Sequence, residues 1–201
     1  YGDHRDLHSF PTRRSSDLTR LMAGNFVHLR DELIHQGFVV GFYDSYFTTP
    51  EGDEIRRDVV KHPGAVSAVA IEDGEVWMVK QFRAPINDVM WEIPAGKLDV
   101  AGEPLTETVV RELEEEIGRT PGKVEELIAL HHSPGFCDEF QTVFLCTDLT
   151  EVPVRHDGPE EEHMIVQKFP LATAVAMALD GSITDAKTIV GLLAAARRLG
   201  I

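Results

Sequence analysis

Hydrophobic and polar positions alternate along this chain with two different periods. Residues 34–49, IHQGFVVGFYDSYFTT, are crowded with β-branched and aromatic side chains and predict a strand. Pro50-Glu51-Gly52-Asp53 has turn chemistry, and residues 54–60 continue as a second strand, which makes a hairpin. Residues 64–71, GAVSAVAI, and 75–82, EVWMVKQF, flank Glu72-Asp73-Gly74, a strong hairpin turn. Over residues 104–117 the period changes to that of a helix. Strands follow at 126–132, 140–148 and 164–169. Helical period returns at 171–179 and at 184–199, where Ile189, Leu192, Leu193 and Ala196 share one face. This order, strands then a helix, strands then helices, predicts an α/β chain with a mixed sheet covered by helices. There is no internal repeat and no low-complexity tract.

Residues 1–18 carry neither period. Within them, His8 to Leu18 reads HSFPTRRSSDL, which resembles the in-frame translation of a common DNA-sequencing adapter. The stretch lacks the apolar centre of a secretory signal and carries Asp3, Asp6 and Asp17. It is set aside as an artefact or disordered leader, with the native N-terminus expected to be missing. The remainder divides into an N-terminal β segment, residues 19–60, and a main domain, residues 61–201.

Composition then narrows the function. The chain has 201 residues, enough for one domain with a sizeable core. It holds 34 acidic against 19 Lys and Arg residues, a net charge of −15, which repels a phosphate backbone and argues against nucleic-acid binding. An acidic protein can still hold an anionic substrate through metal ions. No apolar run reaches the roughly 20 residues that span a bilayer. The two cysteines, Cys137 and Cys146, form no metal or redox motif, and a reducing cytoplasm fits them best. His131, His132 and Cys137 lack the spacing of a zinc site. No Walker A, GxGxxG or GxSxG motif is present.

The segment that carries chemistry is residues 94–118, PAGKLDVAGEPLTETVVRELEEEIG. On a helical wheel Glu112, Glu115 and Glu116 stand at i, i+3 and i+4 and share a face. Val109, Val110, Leu113 and Ile117 fill the adjoining arc and face a core. Arg111, four residues before Glu115, can hold that carboxylate in place. Glutamates at this spacing also make an ordinary solvated face. The two readings differ in energy: like charges ~4 Å apart cost ~1 kcal/mol in water but nearer ~4 kcal/mol at a protein surface. Three partly buried carboxylates therefore call for a divalent cation, and hard oxygen ligands suit Mg²⁺ or Mn²⁺. The unencumbered turn Pro94-Ala95-Gly96 can aim a carbonyl oxygen at the same ion.

With these residues in place, the segment resembles the Nudix box, G-x5-E-x7-R-E-U-x-E-E-x-G-U, where U is a bulky apolar residue. Glu103, Arg111, Glu112, Leu113, Glu115, Glu116 and Gly118 match at the box's spacing. Gly96 lies one residue further upstream than the box requires, and Arg119 replaces its last apolar position. The flanks Gln81-Phe82-Arg83, Glu92-Ile93-Pro94-Ala95-Gly96, Ser133-Pro134-Gly135-Phe136 and Asp185-Ala186-Lys187-Thr188 are similar to the ADP-ribose pyrophosphatase branch, in its bacterial, actinobacterial-like form. The resemblance spans about residues 34–198 and implies a Nudix fold, an α/β/α sandwich with a mixed sheet after a short N-terminal β segment.

The resemblance also implies roles. Glu112, Glu115, Glu116 and the Ala95 carbonyl would hold Mg²⁺, or Mn²⁺. The general base of this branch comes from an acidic loop downstream, which Gly158-Pro159-Glu160-Glu161-Glu162-His163 fits: Glu160 as base, Glu161 as the second choice, Glu162 as a further metal ligand. Arg57 and Arg83 are candidates for the diphosphate, since guanidinium groups pair bidentately with phosphate oxygens. Pro134 and Gly135 would form a rigid loop beside the substrate, and Glu139 would contact a ribose. Phe38, Phe42, Tyr43, Tyr46 and Phe47 offer adenine stacking or strand core. The expected activity is Mg²⁺-dependent hydrolysis of ADP-ribose to AMP and ribose 5-phosphate by a cytoplasmic homodimer. The rival expectations are another nucleoside-diphosphate sugar, such as GDP-mannose or ADP-glucose, and a nucleotide sensor without catalysis.

Overall fold

The computed structural model describes residues 25–154 and 163–201. The expected leader, residues 1–18, and the whole Glu160–Glu162 assignment lie outside the described residues.

Three antiparallel strands come first: β1 (Val27–Gln36), β2 (Gly41–Thr48) and β3 (Glu54–Lys61), in that spatial order. The single strand expected over 34–49 is in fact the end of β1, a turn and β2. Gly37 causes the break: its N–H donates to the Val40 carbonyl at 2.9 Å, closing a turn that overrides the β-propensity of Phe38-Val39-Val40.

A mixed sheet follows, built on β4 (Ala65–Glu72), β5 (Glu75–Arg83), β8 (Arg119–His131), β9 (Phe140–Glu151) and β10 (Ile165–Pro170) in the order β10-β5-β4-β9-β8. β4 and β9 run parallel, from Ala65 opposite Gln141 to Ala70 opposite Cys146; the other neighbours are antiparallel. β8 begins earlier than its sequence period indicates. It takes in Pro121 because it lies at the sheet edge, where a missing N–H breaks no ladder.

β4 and β5 pair only at their hairpin end, Ile71 with Val76 and Glu72 with Glu75, and then part. The gap is bridged by two short strands. β6 (Asp88–Glu92) pairs with β5, and β7 (Ala95–Lys97) pairs with β4. Ile93 and Pro94 cross between them, and the Pro94 carbonyl accepts from the Ala68 N–H at 2.9 Å. Five and three residues long, β6 and β7 are too short to show a period and were not foreseen.

Helices cover both faces. α1 (Leu105–Ile117) packs Val109, Leu113 and Ile117 on Val66, Ala68, Ala70, Val79 and Phe144. α2 (Leu171–Leu179) and α3 (Ala186–Leu199) pack on the other face, over Val69, Met78, Ile93 and Val143. This alternation along β4, one residue to each face, produces the α/β/α layering. Two of the helical stretches are shorter than their periods because extended residues cap them: Pro104 stands before α1, and the Asp185 carboxylate accepts the Thr188 N–H before α3. α1 ends at Gly118 in the left-handed conformation, φ +63°, with its N–H on the Leu113 carbonyl. A Cβ there would lie 2.7 Å from Val154 Cγ2 and 2.9 Å from the Val152 carbonyl, so the exit is closed to larger residues. Arg119, where the box has an apolar residue, lays its guanidinium over the Trp77 ring at 4.7 Å, a cation–π contact.

Candidate active site

α1 turns its carboxylates toward β7. Glu116 is 5% exposed, and its Oε2 accepts the Ala95 N–H at 3.0 Å. Glu112 is 9% exposed, and its carboxyl lies directly on Gly96: a Cβ built there would be 1.8 Å from the carboxyl carbon. Gly96 is thus required by close approach of side chain to backbone, and it does so despite standing one residue outside the box spacing. The extra residue is taken up in the loop before α1.

Arg111 Nη1 lies 2.9 Å from both Glu112 Oε1 and Glu115 Oε2, and Nη2 is 3.5 Å from Asp99 and Glu103. Burial works against the Arg111 charge, but these carboxylates more than offset it and hold the guanidinium protonated. The Thr108 hydroxyl donates to Glu103 Oε2 at 2.8 Å and, with Arg111, holds Glu103 below the usual carboxylate range. Glu112 moves the opposite way. Burial pushes it up to about 7; Arg111 opposes the shift, while Glu115 and Asp99 add to it.

These donors fit a hard divalent cation: carboxylates on one helix face, one of them desolvated, against a backbone turn with no side chain in the way. Among the described residues no three acidic, His or Cys side chains stand as a ready-made metal cage. Arg111 sits between Glu112 and Glu115, and Glu116 is turned to the Ala95 amide.

A second group of charges lies behind β6. Arg83 Nε and Nη2 donate to the two oxygens of Glu92, each at 2.6 Å. Glu92 is fully buried and also accepts from Lys187 Nζ, which in turn lies 3.0 Å from Asp185 Oδ1. Asp185 caps α3 through Thr188, whose hydroxyl oxygen accepts the Ile93 N–H at 2.9 Å. Glu92, and after it Asp185 and Glu116, raise the Arg83 pKa although burial opposes them, so of the α1 carboxylates it is Glu116 that Arg83 senses. Burial alone would raise Asp185, but Lys187 and Thr188 outweigh it and hold it low.

Arg57, Pro134 and Gly135 come together elsewhere, in a cleft of about 450 Å³ between β3 and the loop 133–138. The loop is fastened to β3 by the Val60 N–H on the Phe136 carbonyl at 2.7 Å and the Asp138 N–H on the Val60 carbonyl at 3.1 Å. Phe47 lines this cleft; Phe38, Phe42, Tyr43 and Tyr46 do not. Tyr46 is instead covered by Arg30 at 3.7 Å and Tyr43 by Lys61 at 4.8 Å. Glu139 is half-buried and does not line the cleft.

A family model, the NUDIX domain, matches residues 61–189. The chain belongs to the Nudix family. It is an enzyme, a Nudix hydrolase acting on a phosphoric anhydride, and Nudix hydrolases generally use divalent metal ions. It is 40% identical to the ADP-ribose pyrophosphatase of Bacillus subtilis (strain 168) over 158 residues, 78% of this chain and 85% of that protein. It is 39% identical to the ADP-ribose pyrophosphatase of Mycobacterium tuberculosis (strain ATCC 25618 / H37Rv) over 171 residues, 85% and 83% of the two chains. A crystal structure of an ADP compounds hydrolase superposes with a TM-score of 0.76 at 19% identity, covering 87% of this chain and 94% of the other, a likeness of fold.

The Nudix box reading named the α1 residues, which the structure assembles in one place. It gave no role to Glu92, Lys187, Asp185 and Thr188, although all four stand in the quoted flanks. Their signal is the placement of a glutamate immediately before Ile93-Pro94 and of a lysine in the first turn of a helix whose other basic residues, Arg197 and Arg198, stand in its last turn.

Two outcomes follow from the Glu112–Gly96 contact. Gly96→Ala displaces the Glu112 carboxyl and is expected to weaken divalent-metal affinity about 10–100-fold, as read by calorimetric titration of Mn²⁺. In EDTA, the folded chain binds a proton at Glu112 up to about pH 7, whereas the unfolded chain releases it near the ordinary value of 4.5. The folded state then carries more protons over that window, so stability falls as pH rises from about 4.5 to 7. Glu112→Gln is expected to flatten that part of the curve in urea titrations; an unchanged slope would assign the pH dependence to other groups.

Proposed function

We propose that this Nudix hydrolase cleaves the diphosphate of ADP-ribose, giving AMP and ribose 5-phosphate, with Mg²⁺ as its cation and Mn²⁺ as the alternative the same donors suit. The observation that carries the catalytic half is the α1 carboxylate set, desolvated against the Gly96 backbone and braced by Arg111. The substrate half is supported by the two bacterial relatives named ADP-ribose pyrophosphatase, each matched over most of its length.

Glu112, Glu115, Glu116 and the Ala95 carbonyl would hold the metal. A divalent ion supplies neutralisation of the diphosphate charge and acidification of water. Arg111 keeps Glu115 oriented. Arg83 and Arg57 offer their guanidinium groups to the diphosphate, Pro134 and Gly135 border the substrate beside Arg57, and Glu139, outside that cleft, contacts a ribose. Glu160 takes the proton from the attacking water, with Glu161 as the second choice, and Glu162 adds a metal ligand. A new P–O bond forms as the anhydride P–O bond breaks, and the leaving phosphate takes up the electron pair. An intact Arg111-Glu112-x-x-Glu115-Glu116 set has no use in a pure sensor, which supports catalysis over nucleotide sensing.

The same reading makes residues 61–201 the catalytic domain and residues 19–60 a β segment shared in a cytoplasmic homodimer. Its support is the exposure of Leu29, Leu33, Ile34, Phe38 and Phe42 on β1, β2 and their turn, large apolar side chains that a second copy would cover. Among the described residues no helix is long and apolar enough to cross a membrane, and both cysteines are free.

The full chain, incubated with Mg²⁺ and ADP-ribose, ADP-glucose, GDP-mannose, NADH or diadenosine polyphosphates, is expected to release AMP fastest from ADP-ribose. EDTA should abolish turnover, and Glu116→Gln should lower it at least about 100-fold. A faster rate on another sugar nucleotide would overturn the substrate while leaving the hydrolase, and binding without any turnover would favour a sensor. Light scattering after size exclusion should give twice the monomer mass; a monomer would refute the shared β segment.

A further inference from the structure

We infer that Lys187 is a positioning residue for the diphosphate: through the buried carboxylate of Glu92 it fixes the orientation in which Arg83 presents its exposed edge. The inference rests on the proposal above that Arg83 meets the diphosphate.

Lys187 is 6% exposed and Glu92 is 0% exposed. Lysine is almost never buried to that degree without a partner. Taking a charged pair out of water is costly, and apolar residues usually hold two elements together at least as well. The surroundings offer that alternative. One turn further along α3, Gly191 lets the helix approach until a Cβ there would meet Ile93, Val69 and Val143 at 3.0–3.2 Å. Apolar contact already fastens α3 to the sheet, so a charge cluster at its first turn adds something other than adhesion.

What it adds is orientation. Glu92 receives Arg83 Nε on one oxygen and Nη2 on the other, a bidentate pair in which the guanidinium plane follows the carboxylate plane. The terminal torsion of a glutamate is broad and soft. Lys187 Nζ, on Glu92 Oε2, restrains it. Lys187 is itself held by Asp185 Oδ1, and Asp185 is locked in place as the α3 cap. Two cations and two carboxylates thus balance, and none of the four is left buried without an opposite charge.

The cluster is closed behind and open in front. Arg83 keeps 40% of its side-chain surface exposed against none for Glu92, and among the described residues its Nη1 makes no hydrogen bond. The edge of the guanidinium that Glu92 does not use therefore faces out. The same first turn of α3 also binds the Ile93 N–H through Thr188, so it fixes the chain between Glu92 and Ala95 as well. A C-terminal helix that contributes no side chain to the carboxylate set is in this way coupled to it.

A double-mutant cycle separates this from plain structural support. Lys187→Met is expected to lower kcat/KM for ADP-ribose about tenfold, chiefly through KM, and to lower it less than about twofold in an Arg83→Ala background. The same cycle, read as the dissociation constant of ADP-ribose in EDTA, should show the same loss of effect. Near-UV dichroism checks that each variant is folded; Lys187→Gln, which keeps a donor without the charge, carries the same expectation if Lys187→Met does not fold. Equal losses in both backgrounds, or no loss in either, would overturn the positioning role while an active parent leaves the ADP-ribose reading intact. A parent chain that neither hydrolyses nor binds ADP-ribose would overturn both.

Discussion

Glu112 lies on the backbone of Gly96 with no side chain between them, and α1 can dock at this depth only because that position lacks a Cβ. The contact fixes two things at once. It sets the height of the helix on the sheet, so that Val109, Leu113 and Ile117 reach the apolar face of β4. It also takes a carboxylate out of water beside other carboxylates, which is why Glu112 is protonated more readily than an exposed glutamate. Arg111 meets part of that cost, holding Glu112 and Glu115 with a single nitrogen. Stability and chemistry pull apart here: the arrangement is poor for a folded protein alone and good for one that receives a cation.

The parting of β4 and β5 determines where this happens. Strands that stayed paired would leave no room for β6 and β7 and no crossing at Ile93-Pro94. Because the chain crosses there, one short segment carries Glu92 to the β5 side and Ala95–Gly96 to the β4 side. The two charge clusters are therefore three residues apart in sequence yet belong to opposite branches of the sheet, each served by a helix from a different face. On the function proposed above, a net charge of −15 would not keep an anionic substrate from such a place, since Arg83 and a bound divalent cation would supply local positive charge that the overall count conceals.

The α1 helix and its carboxylate face were legible because helical spacing and chemistry coincide over residues 104–117: the apolar residues that face the core are interleaved with the glutamates of the adjoining face. The hairpin at Glu72-Asp73-Gly74 was legible for a similar reason, a turn signal between two apolar runs. β6 and β7 were not, since their strand character comes from the vacancy beside β4 and β5 and not from their own composition. Gly37 outweighed a run of β-formers, and Pro121 was absorbed by an edge strand. The glutamates that the box names lie together on α1, whereas Glu92 and Lys187 stand in the quoted flanks with no role attached to them. Their partnership joins positions 95 residues apart, and no local pattern encodes a contact of that span.

The loop between β7 and α1 begins where Leu98 N–H bonds the Gly64 carbonyl and ends where Glu103 meets Thr108. Both ends are anchored, and the stretch between them, turned by Gly102 at φ +80°, carries none of the core. Its length is therefore free to vary while the helix register behind it stays fixed, and the single additional residue of this chain is an instance of that freedom. A tag or short peptide inserted at Ala101-Gly102 would open only the exposed turn that the Glu103 N–H closes on the Val100 carbonyl, which makes this loop a handle for attaching a reporter close to the carboxylate helix.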